Sequence, residues 1–131
     1  MHYSVGAIIK RDDKYLLMDR KNPPFGFACP AGHVDEGENP EKSLVREVKE
    51  ETSLKVTKYK LIDEGEFSHE DEPCRRGIGA HYWYIFECEV TGKLMKDERE
   101  AKTMNWYSVN EIKKMRLEHV WKNWFKKLNI I

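Results

Sequence analysis

A chain of 131 residues has room for one hydrophobic core and not for two ordinary ones, so a single domain over residues 1–131 is expected. Its 23 Lys and Arg balance 23 Asp and Glu, which removes the bulk positive field that duplex nucleic acid would require. No apolar run is long enough to cross a bilayer, Met1–Lys10 lacks a secretory pattern, and Cys29, Cys74 and Cys88 form no C-x-x-C pair. These features lead us to expect a soluble cytoplasmic protein with reduced thiols, no zinc-type cysteine site and no membrane partner.

Tyr3–Ile9 and Tyr15–Met18 are apolar, β-rich runs flanking the polar Arg11-Asp12-Asp13-Lys14, a pattern that predicts an antiparallel hairpin. The consecutive prolines of Lys21-Asn22-Pro23-Pro24 predict a loop. It leads into a short extended piece, Phe25 to Pro30. Gly32 to Glu38 is expected to fold back as a loop over the start of a helix. Asn39 is a suitable N-cap, Pro40 suits the first helical position, and Glu41 complements the positive helix end.

On that helix Glu47, Glu50 and Glu51 stand at i, i+3 and i+4 and project from one side, with Leu44, Val45 and Val48 expected to face a core. Like charges at this spacing repel by roughly 0.2–0.5 kcal/mol per exposed pair, and more where water is excluded. Arg46 supplies one compensating charge. With Glu38 upstream, the cluster reads either as a solvated acidic face or as a site for a hard divalent cation such as Mg2+, which takes oxygen ligands.

Beyond the helix, 55–63 and 65–68 alternate as strands with a bend expected at Asp63-Glu64. His69–Gly77 is polar, contains Pro73 and predicts an exposed loop. Its Arg75-Arg76 pair either contacts a phosphate or is simply solvated. Ile78–Val90 is the strongest strand, and alternation places His81, Trp83 and Ile85 on one face and Tyr82, Tyr84 and Phe86 on the other. An aromatic here either stacks on a nucleobase or belongs to the core. Phe27, Arg75, Arg76 and Tyr82 are the candidate substrate-binding residues.

Lys93–Lys102 is a charged connection carrying Glu98 and Glu100, followed by a last strand, Thr103–Tyr107. Ser108 and Glu111 form an S-x-x-E capping box for a short helix, Val109–Met115. Val120, Trp121, Trp124, Phe125 and Leu128 recur at helical spacing, predicting a C-terminal helix with its apolar stripe on the sheet and Lys122, Lys126 and Lys127 outward. The mixture of a hairpin with one central helix disfavours a doubly wound parallel sheet.

Residues 32–54 resemble the Nudix hydrolase signature, G-x5-E-x7-R-E-U-x-E-E-x-G-U with U a bulky aliphatic residue. Gly32, Glu38, Arg46, Glu47, Val48, Glu50, Glu51 and Leu54 fill its positions in register, and Ser53 replaces the penultimate glycine. The resemblance implies an α/β fold, the Nudix α/β/α sandwich with a mixed β-sheet between helices. It also implies metal binding by the Gly32 carbonyl with Glu47, Glu50 and Glu51, catalytic work by Glu47 and Glu50, and an orienting Arg46 supported by Glu38. Several family members take an additional carboxylate from this region, for which the resemblance makes Glu98 and Glu100 the candidates, with simple surface solvation of both as the alternative. His33 fills a variable position and is read as a loop histidine making local hydrogen bonds, with a catalytic base as the alternative.

The implied activity is hydrolysis of a pyrophosphate bond in a nucleoside diphosphate linked to another moiety, with Mg2+ or alternatively Mn2+. The MutT-like size favours a nucleoside triphosphate, damaged or non-standard ones included, with release of the monophosphate. ADP-ribose or a nucleotide sugar is the alternative substrate. A non-catalytic nucleotide sensor and an RNA-end role using Lys113, Lys114 and Arg116 are the alternative classes, and a monomer or homodimer is expected.

Overall fold

The computed structural model describes residues 2–68 and 80–131, so Cys74, Arg75 and Arg76 lie outside the described residues. Strand β1 (His2–Arg11) and β2 (Lys14–Arg20) form the expected antiparallel hairpin. Its two turn residues, Asp12 and Asp13, have φ of 51° and 61°. A tight turn with both central residues in the left-handed region matches strand twist, and aspartate tolerates that region.

Two short strands follow, β3 (Phe27–Ala28) on the edge of β2 and β4 (Ala31–His33) on β1. Gly32 and His33, expected in a loop, are therefore strand residues. Ala31–His33 pairs with Ser4–Gly6, and that backbone ladder orders the start of the segment. Helix α1 (Pro40–Thr52) begins where the cap predicts, with Asn39 Oδ1 accepting from Lys42 N at 2.9 Å.

Strand β5 (Lys55–Ser68) runs without the expected bend at Asp63-Glu64. Irregularities between Val56 and Lys58 and between Leu61 and Asp63 absorb the extra residues, and Glu64 stays paired with Tyr84. Strand β6 (Ala80–Thr91) is antiparallel to β5 and parallel to β1. Strand β7 (Ala101–Ser108) is longer than predicted because its pairing with β2 runs from Arg20 to Lys14. Helix α2 (Val109–Ile112) has the predicted capping box but ends before Met115, and α3 (His119–Lys127) closes the fold.

The sheet order is β3-β2-β1-β6-β5, with β4 paired to β1 and β7 paired to β2. One face packs against α1 through Val5, Ala7, Leu44, Val48, Leu54 and Phe86. The other packs against α2 and α3 through Ile8, Leu17, Ile85, Trp121, Trp124 and Phe125. The alternation predicted for β6 thus divides its side chains between two cores. Gly6 makes the second packing close: a Cβ there would lie 2.4 Å from Trp121 Cη2. Val45, expected inward, is 40% exposed. It sits about 100° around the helix from Leu44, beyond the stripe that meets the sheet.

Helix α1 ends at Ser53 with φ of 65° and ψ of 4°, its amide donating to Lys49 O at 3.0 Å. The serine therefore takes the left-handed cap conformation of the missing glycine. Ser53→Gly is expected to stabilise the fold by about 0.5–1 kcal/mol, since the left-handed strain exceeds the extra glycine entropy. Urea unfolding should show a higher midpoint with an unchanged slope.

Candidate active site

The site is assembled where α1 crosses β4. The helix buries Leu44, Val48 and Thr52 toward the sheet, which carries Glu47 and Glu51 to the β4 side of that stripe. Glu51 is only 7% exposed. Gly32 allows the approach: a Cβ there would fall 2.0 Å from Glu47 Cδ. No side chain other than hydrogen fits between strand and carboxylate.

Arg46 is the organising cation. Its Nε donates to Glu38 Oε2 and its Nη2 to Glu38 Oε1, both at 2.9 Å, a two-pronged contact that matches a carboxylate. Nη1 donates to Glu47 Oε1 at 2.8 Å and reaches Glu50 Oε2 at 3.4 Å. Nη2 also donates to the His33 carbonyl at 3.1 Å and lies 3.3 Å from Asp35 Oδ2. Glu38 is held in turn by Ser43 Oγ at 2.9 Å and by the Asp35 amide at 3.1 Å.

These partners give the carboxyls opposite proton affinities. Hydrogen bonding from Arg46 lowers Glu38 to about 2. Burial pushes Glu51 well above the usual carboxylate range, the Glu47 charge adds to this, and a hydrogen bond from the Ala31 amide only partly offsets it. Glu47 is raised by burial and by Glu50, against the lowering influence of Arg46 and of a hydrogen bond with Glu51. The two innermost carboxyls therefore share a hydrogen bond in a place that disfavours two negative charges. A divalent cation is the natural complement of that arrangement.

Glu38 and the inner pair act on stability in separate pH windows. The lowered Glu38 contributes stability that is present above its unfolded value, about 4.3, and is lost as pH falls through about 2. The raised Glu47 and Glu51 have the opposite sign and act above their ordinary value. Glu38→Gln is expected to flatten the acid limb of a plot of urea midpoint against pH between about 5 and 2. An unaltered limb would assign that acid sensitivity to other groups.

The connection between β6 and β7 closes the helix end. Met95 N donates to Thr52 O at 2.9 Å and Asp97 N to Glu51 O at 3.1 Å, satisfying carbonyls that α1 leaves without helical partners. This brings half-buried Glu100 close enough for its charge to raise Glu51 further. Glu98 is exposed and pairs with Lys96 at 3.4 Å.

Tyr82 lies on the α1 side of the sheet beside Tyr3 and Tyr84, with its hydroxyl donating to Glu64 Oε1 at 2.6 Å. That bond helps push its phenol up to about 12. Phe27 instead packs edge-on to Tyr107 on the α3 side. Lys113, Lys114 and Arg116 are exposed. Asp35, Ser43 and the Ala31 amide had not been singled out from sequence. Ser43 and Asp35 fall at variable signature positions, and a backbone amide carries no residue-type signal.

The NUDIX domain family model matches residues 1–128. An ADP-ribose pyrophosphatase from Methanocaldococcus jannaschii is 36% identical over 118 residues, covering 88% of this chain and 67% of its own length. A CTP pyrophosphohydrolase from Escherichia coli is 33% identical over 110 residues, covering 82% of this chain and 76% of its own. The MutT structure from Bacillus halodurans superposes with a TM-score of 0.77 over 96% of this chain and 80% of its own, at 21% identity, a likeness of fold. Among the described residues no helix is long and apolar enough to cross a membrane.

Proposed function

This chain belongs to the NUDIX family, whose members act on nucleotide-type small molecules, and from that premise we propose that it hydrolyses the pyrophosphate bond of a nucleoside diphosphate derivative. Mg2+, or Mn2+ in its place, would be held by Glu47, Glu50, Glu51 and the Gly32 carbonyl. The observation that carries this reading is the convergence of half-buried Glu47 and buried Glu51 beside β4, with the Glu47 carboxylate against Gly32, where burial and the neighbouring charge disfavour two negative groups. All the donors are hard oxygens, the chemistry that suits Mg2+. When bound, the metal supplies positive charge for the pyrophosphate and lowers the pKa of a coordinated water.

The chain's own groups supply orientation and the proton acceptor. Glu47 and Glu50 both contact Arg46 Nη1, and either carboxylate would take the proton of an attacking water. Arg46 holds Glu47 in one rotamer while Glu38, fixed by Ser43 and the Asp35 amide, holds Arg46. Arg46 and Glu38 are thus positioning residues. Glu100 is the better placed of the two additional carboxylates because its charge reaches Glu51. Tyr82, beside Tyr3 and Tyr84 on the α1 side of the sheet, would be the aromatic that stacks on a base.

For the substrate, the archaeal relative named for ADP-ribose moves that class ahead of the nucleoside triphosphate favoured by domain size. The relative named for CTP supports the triphosphate as the second reading. The test is product analysis by chromatography and mass spectrometry on ADP-ribose, nucleoside triphosphates, dinucleoside polyphosphates and nucleotide sugars with Mg2+ or Mn2+. Formation of AMP and ribose 5-phosphate from ADP-ribose supports the first reading, and a monophosphate plus pyrophosphate from a triphosphate supports the second. A nucleotide that binds without turnover under either metal would replace both with a sensor.

A further inference from the structure

On the sheet face opposite the carboxylates, three histidines from three adjacent strands come together. Strand β6 runs parallel to β1 with His81 opposite His2, and β4 runs antiparallel with His33 opposite Ser4. Because strand side chains alternate, all three point to the face that carries Trp83 and Ile85, away from Glu47. One ring nitrogen of each lies within 4.8 Å of the others. The ring centroids are 5.8 Å apart for His2 with either partner and 5.3 Å for His33 with His81.

In a tetrahedral zinc site with bonds of about 2.0–2.1 Å, ligand nitrogens stand roughly 3.3 Å apart. Each pair therefore has at most about 1.5 Å to close, which rotation about the side-chain torsions supplies. The His81 ring is already oriented: Ser4 Oγ lies 2.8 Å from its Nδ1, and Trp83 stacks on it with centroids 6.0 Å apart. A hydrogen bond at one ring nitrogen, here to a hydroxyl oxygen, sets the orientation of an imidazole that ligates through the other. The three side chains are half-buried, confined by the sheet yet within reach of solvent.

We propose that His2, His33 and His81 form a second metal site that takes Zn2+ or a similar borderline transition metal through three imidazoles. Imidazole nitrogens suit such metals, whereas the carboxylate cluster on the other face suits Mg2+, so the two sites separate by ligand chemistry. The metal would tie β4 to both β1 and β6. Strand β4 also carries Gly32 beside Glu47 and the His33 carbonyl that accepts from Arg46. The staple would therefore fix the floor of the candidate active site without belonging to it.

The test is a Co2+ titration of the tag-free protein in excess Mg2+, followed by visible absorption and by quenching of tryptophan fluorescence, with Zn2+ as competitor. Wild type and the Glu47→Gln/Glu51→Gln double variant are expected to give one saturable visible band that Zn2+ abolishes. His2→Gln and His81→Gln, each checked by circular dichroism, should weaken Co2+ binding by about tenfold or more. Equal binding by both histidine variants and wild type would overturn the proposal. So would a band that disappears in the double glutamate variant while surviving in the histidine variants. Metal binding is the readout, so its outcome is separate from that of the hydrolysis assay.

Discussion

Glu51→Gln is expected to lower turnover by about 10³-fold or more while leaving the metal-free protein more stable than wild type at neutral pH. The opposite signs come from the same fact. Glu51 is buried and its charged form is disfavoured by burial and by Glu47. Glutamine keeps the shape, can donate its amide to Glu47 and can accept from the Ala31 amide, so both hydrogen bonds survive without the charge. The stability gain should appear as a higher melting temperature of the metal-free variant, because the charge that burial penalises is gone. Metal-free thermal unfolding gives one half of the test and steady-state kinetics the other. Mg2+ should then raise the melting temperature of wild type and do so far less for the variant. A variant that loses activity and stability together would make Glu51 a structural residue.

Gly32→Ala is the second large effect, with activity lost by about 10²-fold or more and stability changed by less than about 1 kcal/mol. The added methyl would collide with the Glu47 carboxylate, its Cβ falling 2.3 Å from Oε1 and 2.4 Å from Oε2. Those atoms end a flexible side chain, so Glu47 can swing aside at small cost to the fold. It then leaves Arg46, which holds it at 2.8 Å, and the displacement falls on the reacting groups. Comparing kcat with the urea midpoint separates this from general destabilisation, because a strand defect would move both. A fully active variant would show that Glu47 has no fixed working position.

Several elements were legible because their signals are short-range. The Asn39 cap, Pro40 and the spacing of Leu44, Val48 and Glu51 act within a few turns of one helix, and the structure starts α1 where they indicate. The two aspartates between β1 and β2 and the capping box of Ser108 and Glu111 are equally local. Where the reading failed, a distant partner decided. Pairing with β1 makes Gly32 and His33 strand residues, pairing with β2 lengthens β7, and β6 keeps β5 continuous through Asp63. Val45 turned outward because the sheet meets only part of the helix circumference.

The family, the carboxylate ladder and the two faces of β6 can be read along the chain, since each is written in residue types at fixed spacing along one element. The tertiary structure alone decided that Glu100 approaches Glu51, that Ala31 and Gly32 contact the helix carboxylates, and that three histidines share one face. The bond from Ser4 to His81 spans 77 positions. Such contacts follow from strand register and helix placement, which are set by the packing of the whole core and have no signature within any one segment.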